Sequence, residues 1–283
     1  MTMNIYKKAF TGFLVFVISI LISTVVVRNI EPAWYIVDRY FTRAILFTIL
    51  IGVVFWLLRK YNDKYKPSRL GLGSVGEGLI KFFLGLVLFL IPLVFSLGIV
   101  WLRGWADIQI NPPANFEMFW IGIITVFLFE ALPEEFVFRG YIYSNLNSGL
   151  TKWKAAILSV LFFVGLPPAM LLIQSIFGIK GSFGINASIT IEFLMTLMVF
   201  GAFAQYLRII TNSIWTGVGF HLFFVSFNKI IGQKDGSIIQ MENVVNQESI
   251  RLLFMVCILI VFLLVILYPL ISKRKINWQE TAT

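Results

Sequence analysis

The chain has 283 residues, of which 59% are hydrophobic and 13% charged, with a mean hydropathy of +0.88. Soluble domains carry about 25% charged residues, so this composition excludes an ordinary water-soluble enzyme and predicts an integral membrane protein. The net charge of +9 would suit nucleic acid only if the basic residues gathered in one patch among base-stacking aromatics; they lie instead between apolar segments, which reads as topology and argues against a nucleic-acid partner.

A membrane-crossing helix needs about 17 to 25 largely apolar residues. Runs of that kind fall at 9–27, 41–58, 82–102, 116–132, 155–174, 187–207, 213–232 and 252–271. The first follows Lys7 and Lys8, but it is longer than a signal-peptide core and no small-x-small cleavage site follows, so it is read as an uncleaved span. With the N-terminus inside, Lys7, Lys8, the basic residues of the loop 59–69, Lys152, Lys154, Arg208 and those of 273–275 all face the same side. Basic residues concentrate on cytoplasmic loops, so both termini are expected in the cytoplasm. The predicted fold is an all-α polytopic membrane helix bundle of about eight transmembrane helices, one membrane domain over residues 1–283, with no linker and no repeat.

Between spans two and three, Gly71, Gly73 and Gly76 have GxGxxG spacing. That pattern marks a dinucleotide site only after a strand in a βαβ unit; here a basic loop leads into a membrane helix, and a flexible entry to span three is the expectation. The single cysteine, Cys257, can form no internal disulfide and is far short of a thiolate metal site.

A charged side chain at the bilayer centre costs about 2.5 to 3.5 kcal/mol on insertion scales, so acids in the apolar runs stand out. They are Glu117 at the outer edge of span four, Glu130, Glu134 and Glu135 at its inner end, and Glu192 in span six. In "ALPEEFVFRGYIY", Glu135 and Arg139 are four apart and share a helix face, where they can pair. Glu134 points about 100° away, one turn beyond Glu130, so that two carboxylates lie on one face, an arrangement suited to acid–base chemistry. Pro133 suits a helix start, which would place Glu134 and Glu135 in the first turn of a new helix. The plainer alternative is a structural Glu135–Arg139 pair beside a solvated Glu134.

Span five contains "LFFVGLPPAM", in which Pro167 and Pro168 remove two N–H donors. Unpaired backbone is tolerated in a membrane where protein or water satisfies it, so this span is expected to bend over a polar cavity. Span seven carries the only histidine, His221, with Ser226 and Asn228 further along and Gly217 and Gly219 before it. The spacing predicts a polar seam facing the bundle interior, with the glycines allowing close helix approach.

"EEFVFRGYIY", followed later by "FGAFAQYLR" and "SIWTGVGFH", resembles the CPBP (Abi) family, membrane proteins similar to the type II CAAX prenyl endopeptidase and to bacteriocin-processing or immunity proteins. The resemblance covers about residues 116–228. It implies a glutamate-activated water that attacks a peptide carbonyl, with Glu134 as the base, Glu135 and Arg139 as its supporting pair, and His221 as the histidine of the third motif. The family pattern also has Phe-x-x-x-His and His-x-x-x-Asn elements. Here the corresponding positions hold Pro167 (counting from Phe163) or Leu166 (counting from Phe162), and Val225. Glu130, Ser226 and Asn228 are the polar residues that could compensate.

The resemblance therefore implies an intramembrane endopeptidase cutting a membrane-proximal, prenylated or bacteriocin-like peptide without a metal or other cofactor. The alternative is a catalytically silent member that binds a membrane protein as scaffold, regulator or immunity factor. Buried acids alone would also suit a proton-coupled transporter using Glu134 and Glu192. The site is expected to open towards the cytoplasm. Ile, Asn and Lys usage points to a multi-pass protein of a bacterial plasma membrane.

Overall fold

A computed structural model describes residues 4–30, 36–63, 67–112, 116–177, 189–232, 237–272 and 276–281. Among them, eight helical runs build the bundle: α1 (Ile5–Ile30), α2 (Ile36–Leu57), α3 (Val75–Leu102), α4 (Phe116–Asn147), α5 (Lys152–Phe177), α6 (Ile191–Thr211), α7 (Trp215–Ile230) and α8 (Gln247–Ile271). All but α7 are long and apolar enough to cross a membrane, which makes this a multi-pass membrane protein. Large apolar side chains stay exposed along the bundle, Trp56, Phe95, Ile176 and Leu264 among them, as a lipid-facing surface requires.

Helix α7 is shorter than the expected span 213–232. Its 16 residues reach about 24 Å at 1.5 Å each, less than the ~30 Å hydrocarbon core. Asn212, left-handed at φ 50°, ends α6, and Ile231 leaves α7 in extended form. After α7 the chain enters a small sheet that the helical pattern did not foretell. Its strands β1 (Asp107–Ile110), β2 (Ile231–Gly232) and β3 (Ile239–Glu242) are ordered β1-β3-β2, with β1 antiparallel and β2 parallel to β3. Strands of two to four residues are too short to show an alternating pattern in sequence. The sheet joins the ends of α3 and α7 to the start of α8, so it marks the end of the bundle distal to the N-terminus.

At the N-terminal end, the chain after α8 folds back. Glu280 O and Trp278 O accept from the first backbone N–H groups of α5, on Lys152 (3.1 Å) and Trp153 (3.4 Å), satisfying donors that a helix start leaves free. The glycine-rich entry to α3 is pinned at this end rather than flexible. Ile214 N–H donates to Gly71 O (3.0 Å), the Trp215 indole to Leu72 O (2.8 Å) and Arg208 to Arg69 O (3.0 Å). A 3₁₀ turn, Pro67–Leu70, precedes it, so the dinucleotide pattern lacks its strand. Gly71 is required twice over: its φ is +79°, and a Cβ there would lie 2.7 Å from the Arg208 guanidinium carbon.

Helices α3 and α7 pack backbone to backbone. A Cβ on Gly219 would sit 2.0 Å from Phe82 O, and one on Gly85 2.1 Å from Thr216 O. The expected close approach at Gly219 is thus present, and it holds α7 in place despite its length. Gly219→Ala is expected to force the helices apart and cost about 1 to 3 kcal/mol, as overpacking does, read as a lowered unfolding midpoint in detergent.

Helix α4 corrects the expected end of span four at residue 132. It runs on to Asn147, with right-handed backbone angles on both sides of Pro133. Proline is accommodated by widening the helix. Residues Phe127–Ala131 and Glu135–Ile142 are π-helical, and Leu132 N–H reaches five residues back to Phe127 O. In that register the missing N–H of Pro133 leaves Leu128 O without its helical donor, and the Thr48 hydroxyl of α2 hydrogen-bonds to it. Glu134 and Glu135 therefore lie inside a continuous helix, and not in the first turn of a new one.

Helix α5 breaks at Gly165 into Lys152–Val164 and Leu166–Phe177. Pro167 and Pro168 fall in the first turn of the second piece, where an N–H would have no helical partner in any case.

Candidate functional site

The EExxxR residues of α4 meet His221 of α7 at mid-depth in the bundle. Glu135 is fully buried; its Oε1 forms an ion pair with Arg139 Nη1 at 3.1 Å and a hydrogen bond with His221 Nδ1 at 3.2 Å. The expected i,i+4 pair is thus present and extends to a third member from another helix. Arg139 Nη2 donates to Gly201 O of α6 (3.3 Å), and its guanidinium stacks 4.2 Å from the centroid of Phe163 in α5. One ion pair therefore ties four helices together.

Gly217 makes this contact possible, since a Cβ there would lie 2.5 Å from Glu135 Oε2. An ionised carboxylate held by arginine only accepts, so Nδ1 of His221 carries the hydrogen and Nε2 is left to face the other way. The edge-to-face ring of Phe200, centroids 4.7 Å apart, fixes the imidazole plane. Gly217→Ala is expected to push the Glu135 carboxylate away from His221 and to lower function at least tenfold, without changing any titrating group. An activity assay in membranes checks this, with the His221 ring NMR signal reporting the displaced contact.

Glu134 occupies the other side of the imidazole. Its Oε2 is 3.9 Å from Nε2, and its side chain keeps 15% of its surface accessible where Glu135 keeps none. Glu134 and His221 both line a cavity of about 260 Å³, together with Glu130, Phe129, Phe163, Leu166, Pro167, Phe193, Leu197, Phe200, Phe224, Val225 and Ile20. The expectation of a polar cavity beneath the bend in α5 needs correction: three polar side chains face an otherwise apolar wall. Leu166 and Pro167, one or other of which the resemblance matched to a family histidine, and Val225, matched to a polar position, all lie on that wall.

The direction of the cavity also differs from the inward opening expected. On α4 the lining residues are Glu134, Glu130 and Phe129, towards Phe116; on α6 they are Phe193, Leu197 and Phe200, in the half near Ile191. The cavity thus extends from mid-depth towards the end that holds the sheet. On the N-terminal side, Phe138, Arg139, Ile142, Ala204 and Arg208 are buried and close it. Arg208 locks that floor by donating to Arg139 O (3.3 Å), Arg69 O (3.0 Å) and Asn212 Oδ1 (2.9 Å).

Other expected residues separate from the cluster. Ser226 is buried at 1% exposure, does not line the cavity, and its hydroxyl has no hydrogen-bond partner among the described residues. The backbone of Asn228 is helical, but its side chain lies outside the described residues. Glu117 and Glu192 are exposed in the first turns of α4 and α6, and neither lines the cavity. Among the described residues, no three His, Cys, Asp or Glu side chains form a metal-holding group.

Gly217, Gly201, Phe163 and Phe200 fall in the segments that carried the family resemblance, but their contacts with Glu135, Arg139 and His221 are tertiary and could not be read from the sequence. Arg43, a cation inside an apolar run, also escaped notice. It stacks on Tyr40 and Phe129 (4.9 and 4.4 Å to the centroids) and acts electrostatically on Glu130.

Fold and site together define a multi-pass helical membrane protein with a buried glutamate–arginine–histidine cluster under an intramembrane cavity. Residues 116–227 match the family model described as type II CAAX prenyl endopeptidase Rce1-like, so this central part of the chain is CAAX-protease-like, as the EExxxR resemblance implied. No curated protein and no solved structure matches the chain.

Proposed function

We propose that the protein is an intramembrane peptide hydrolase of the CAAX-protease type, with Glu134 as the base that activates water. The observation that carries this reading is the position of Glu134 Oε2, on the cavity and 3.9 Å from His221 Nε2. With Nδ1–H given to Glu135, Nε2 and an ionised Glu134 are two acceptors close enough to orient one water between them. Glu134 takes a proton as the oxygen attacks a peptide carbonyl. Arg139 and Glu135 are positioning residues: they hold the tautomer and orientation of His221, as a buried carboxylate does in other hydrolases. Apolar walls favour a substrate with a greasy residue or lipid group next to the scissile bond, entering from the sheet end of the bundle. The chemistry needs no metal, and one histidine among carboxylates is a poor zinc ligand set. Residue usage favours a bacterial plasma membrane as its place.

A second reading has its own observation. Leu166, Pro167 and Val225 give the cavity an apolar wall where the resemblance calls for a histidine at 166 or 167 and a polar residue at 225, which suits a silent member that binds a membrane partner as scaffold, regulator or immunity factor. Comparing membrane peptide termini by mass spectrometry between cells expressing the wild type and Glu134→Ala at equal levels separates the two. A terminus that vanishes with the substitution identifies a hydrolase and its substrate; identical termini favour the partner-binding reading.

A further inference from the structure

We propose that Glu130 is a second catalytic carboxylate of this site, the acid that protonates the departing amine nitrogen, in a cavity whose wall at Leu166, Pro167 and Val225 offers no polar side chain. The proposal rests on the hydrolase reading above. Glu130 lies one turn before Glu134 on α4, and the two carboxylates face the same cavity. Glu130 lies within the π-helical turn Phe127–Ala131, and Glu134 in the α-helical turn Leu132–Glu134 that follows it.

A second carboxylate in an apolar cavity is costly unless something uses it. The groups around Glu130 are specific: His221 and Lys229 come from α7, Arg43 from α2, and Glu134 from its own helix. Lys229 reaches back towards α4, its Nζ 2.7 Å from where a Cβ on Gly122 would stand. The pair is thus set between cations at the sheet end and the Glu135–Arg139 pair at the other. Like carboxylates sharing a low-dielectric site divide one proton between them, the arrangement used by aspartic proteases.

The steps balance. Glu134, ionised, removes a proton from water while the water oxygen forms a bond to the carbonyl carbon and the C=O electron pair moves to oxygen. The tetrahedral adduct then collapses, the C–N bond breaks, and nitrogen takes the proton held by Glu130. Glu134 now carries a proton and Glu130 none; transfer from one to the other, one turn apart, restores the starting state. The net reaction consumes one water and yields an acid and an amine.

The test uses the full chain in membranes, with Glu130→Gln, Glu130→Asp and Glu134→Gln compared for cleavage by peptide-terminus mass spectrometry. The purified wild type and Glu130→Gln in lipid are also compared for the infrared band of a protonated carboxyl group at neutral pH. Glu130→Gln is expected to lower cleavage about 10²- to 10⁴-fold, the usual contribution of a positioned acid. Glu130→Asp should restore part of it, and the carboxyl band should disappear in Glu130→Gln. Cleavage that depends on Glu134 but is unchanged in Glu130→Gln would overturn this proposal and leave the hydrolase reading standing. Absence of any Glu134-dependent cleavage would overturn both. A carboxyl band that persists in Glu130→Gln, in protein whose unfolding midpoint matches the wild type, also counts against the proposal.

Discussion

Glu134→Gln is expected to lower peptide cleavage by about 10²- to 10⁴-fold, the range a positioned general base contributes, while leaving the bundle folded. The carboxylate borders the cavity, and its nearest polar contact among the described residues is His221 Nε2 at 3.9 Å, so an isosteric amide disturbs little packing. It cannot accept a proton from water, however, and the attacking hydroxide is then not formed. Measured on the substrate identified from membrane peptide termini, the loss should fall on turnover rather than on substrate affinity. A silent scaffold behaves differently: Glu134→Gln would leave co-purification of its membrane partner intact, whereas filling the cavity wall, for example with Val225→Phe, would weaken it.

The second large effect concerns stability. Glu135→Ala is expected to destabilise the protein by about 3 to 5 kcal/mol, because it strands a buried arginine. Arg139 is 1% exposed and, among the described residues, would keep the hydrogen bond to Gly201 O, the Phe163 face and the more distant charge of Glu134. Arg139→Ala should cost a similar amount by leaving Glu135 with His221 alone. Replacing both by apolar residues of similar size, Glu135→Leu with Arg139→Met, should cost well under the sum, since neither charge is then stranded. Unfolding in detergent micelles for the four species gives the cycle, and strictly additive losses would show that the pair does not act as a unit. The double variant should still lack activity, because His221 loses the acceptor at Nδ1.

The difference between these two glutamates, adjacent in sequence, shows how far the residues alone could be read. Their spacing to Arg139 and Glu130 follows from the helical period, which made the Glu135–Arg139 pair and the shared face of Glu130 and Glu134 legible. The partner of Glu135 in α7 is 86 positions away, and no local pattern announces it. Pro133 was ambiguous for a related reason. A proline suits a helix start, yet a helix that widens to a π turn and borrows the Thr48 hydroxyl from a neighbouring helix tolerates it in mid-run. The double proline in α5 was legible as a break because it removes two donors in succession, but the character of the cavity beneath it was not, since that depends on which faces of α4, α6 and α7 turn inward.

By itself the sequence determined the membrane class, the number and approximate place of the helices, the buried ion pair and the CAAX-protease-like centre. The first three depend on hydropathy summed over windows and on the 3.6-residue period, both local properties of the chain; the CAAX-protease-like centre was legible only through the resemblance of its EExxxR and related motifs to a known family. Only the tertiary structure decided that Glu134 and not Glu135 borders the cavity, that the cavity runs towards the sheet end rather than the termini, that α7 is held through glycine contacts with α3, and that Glu130 joins the site. Those outcomes depend on helix rotation, depth and crossing, which packing of all the helices sets together and which no single segment encodes.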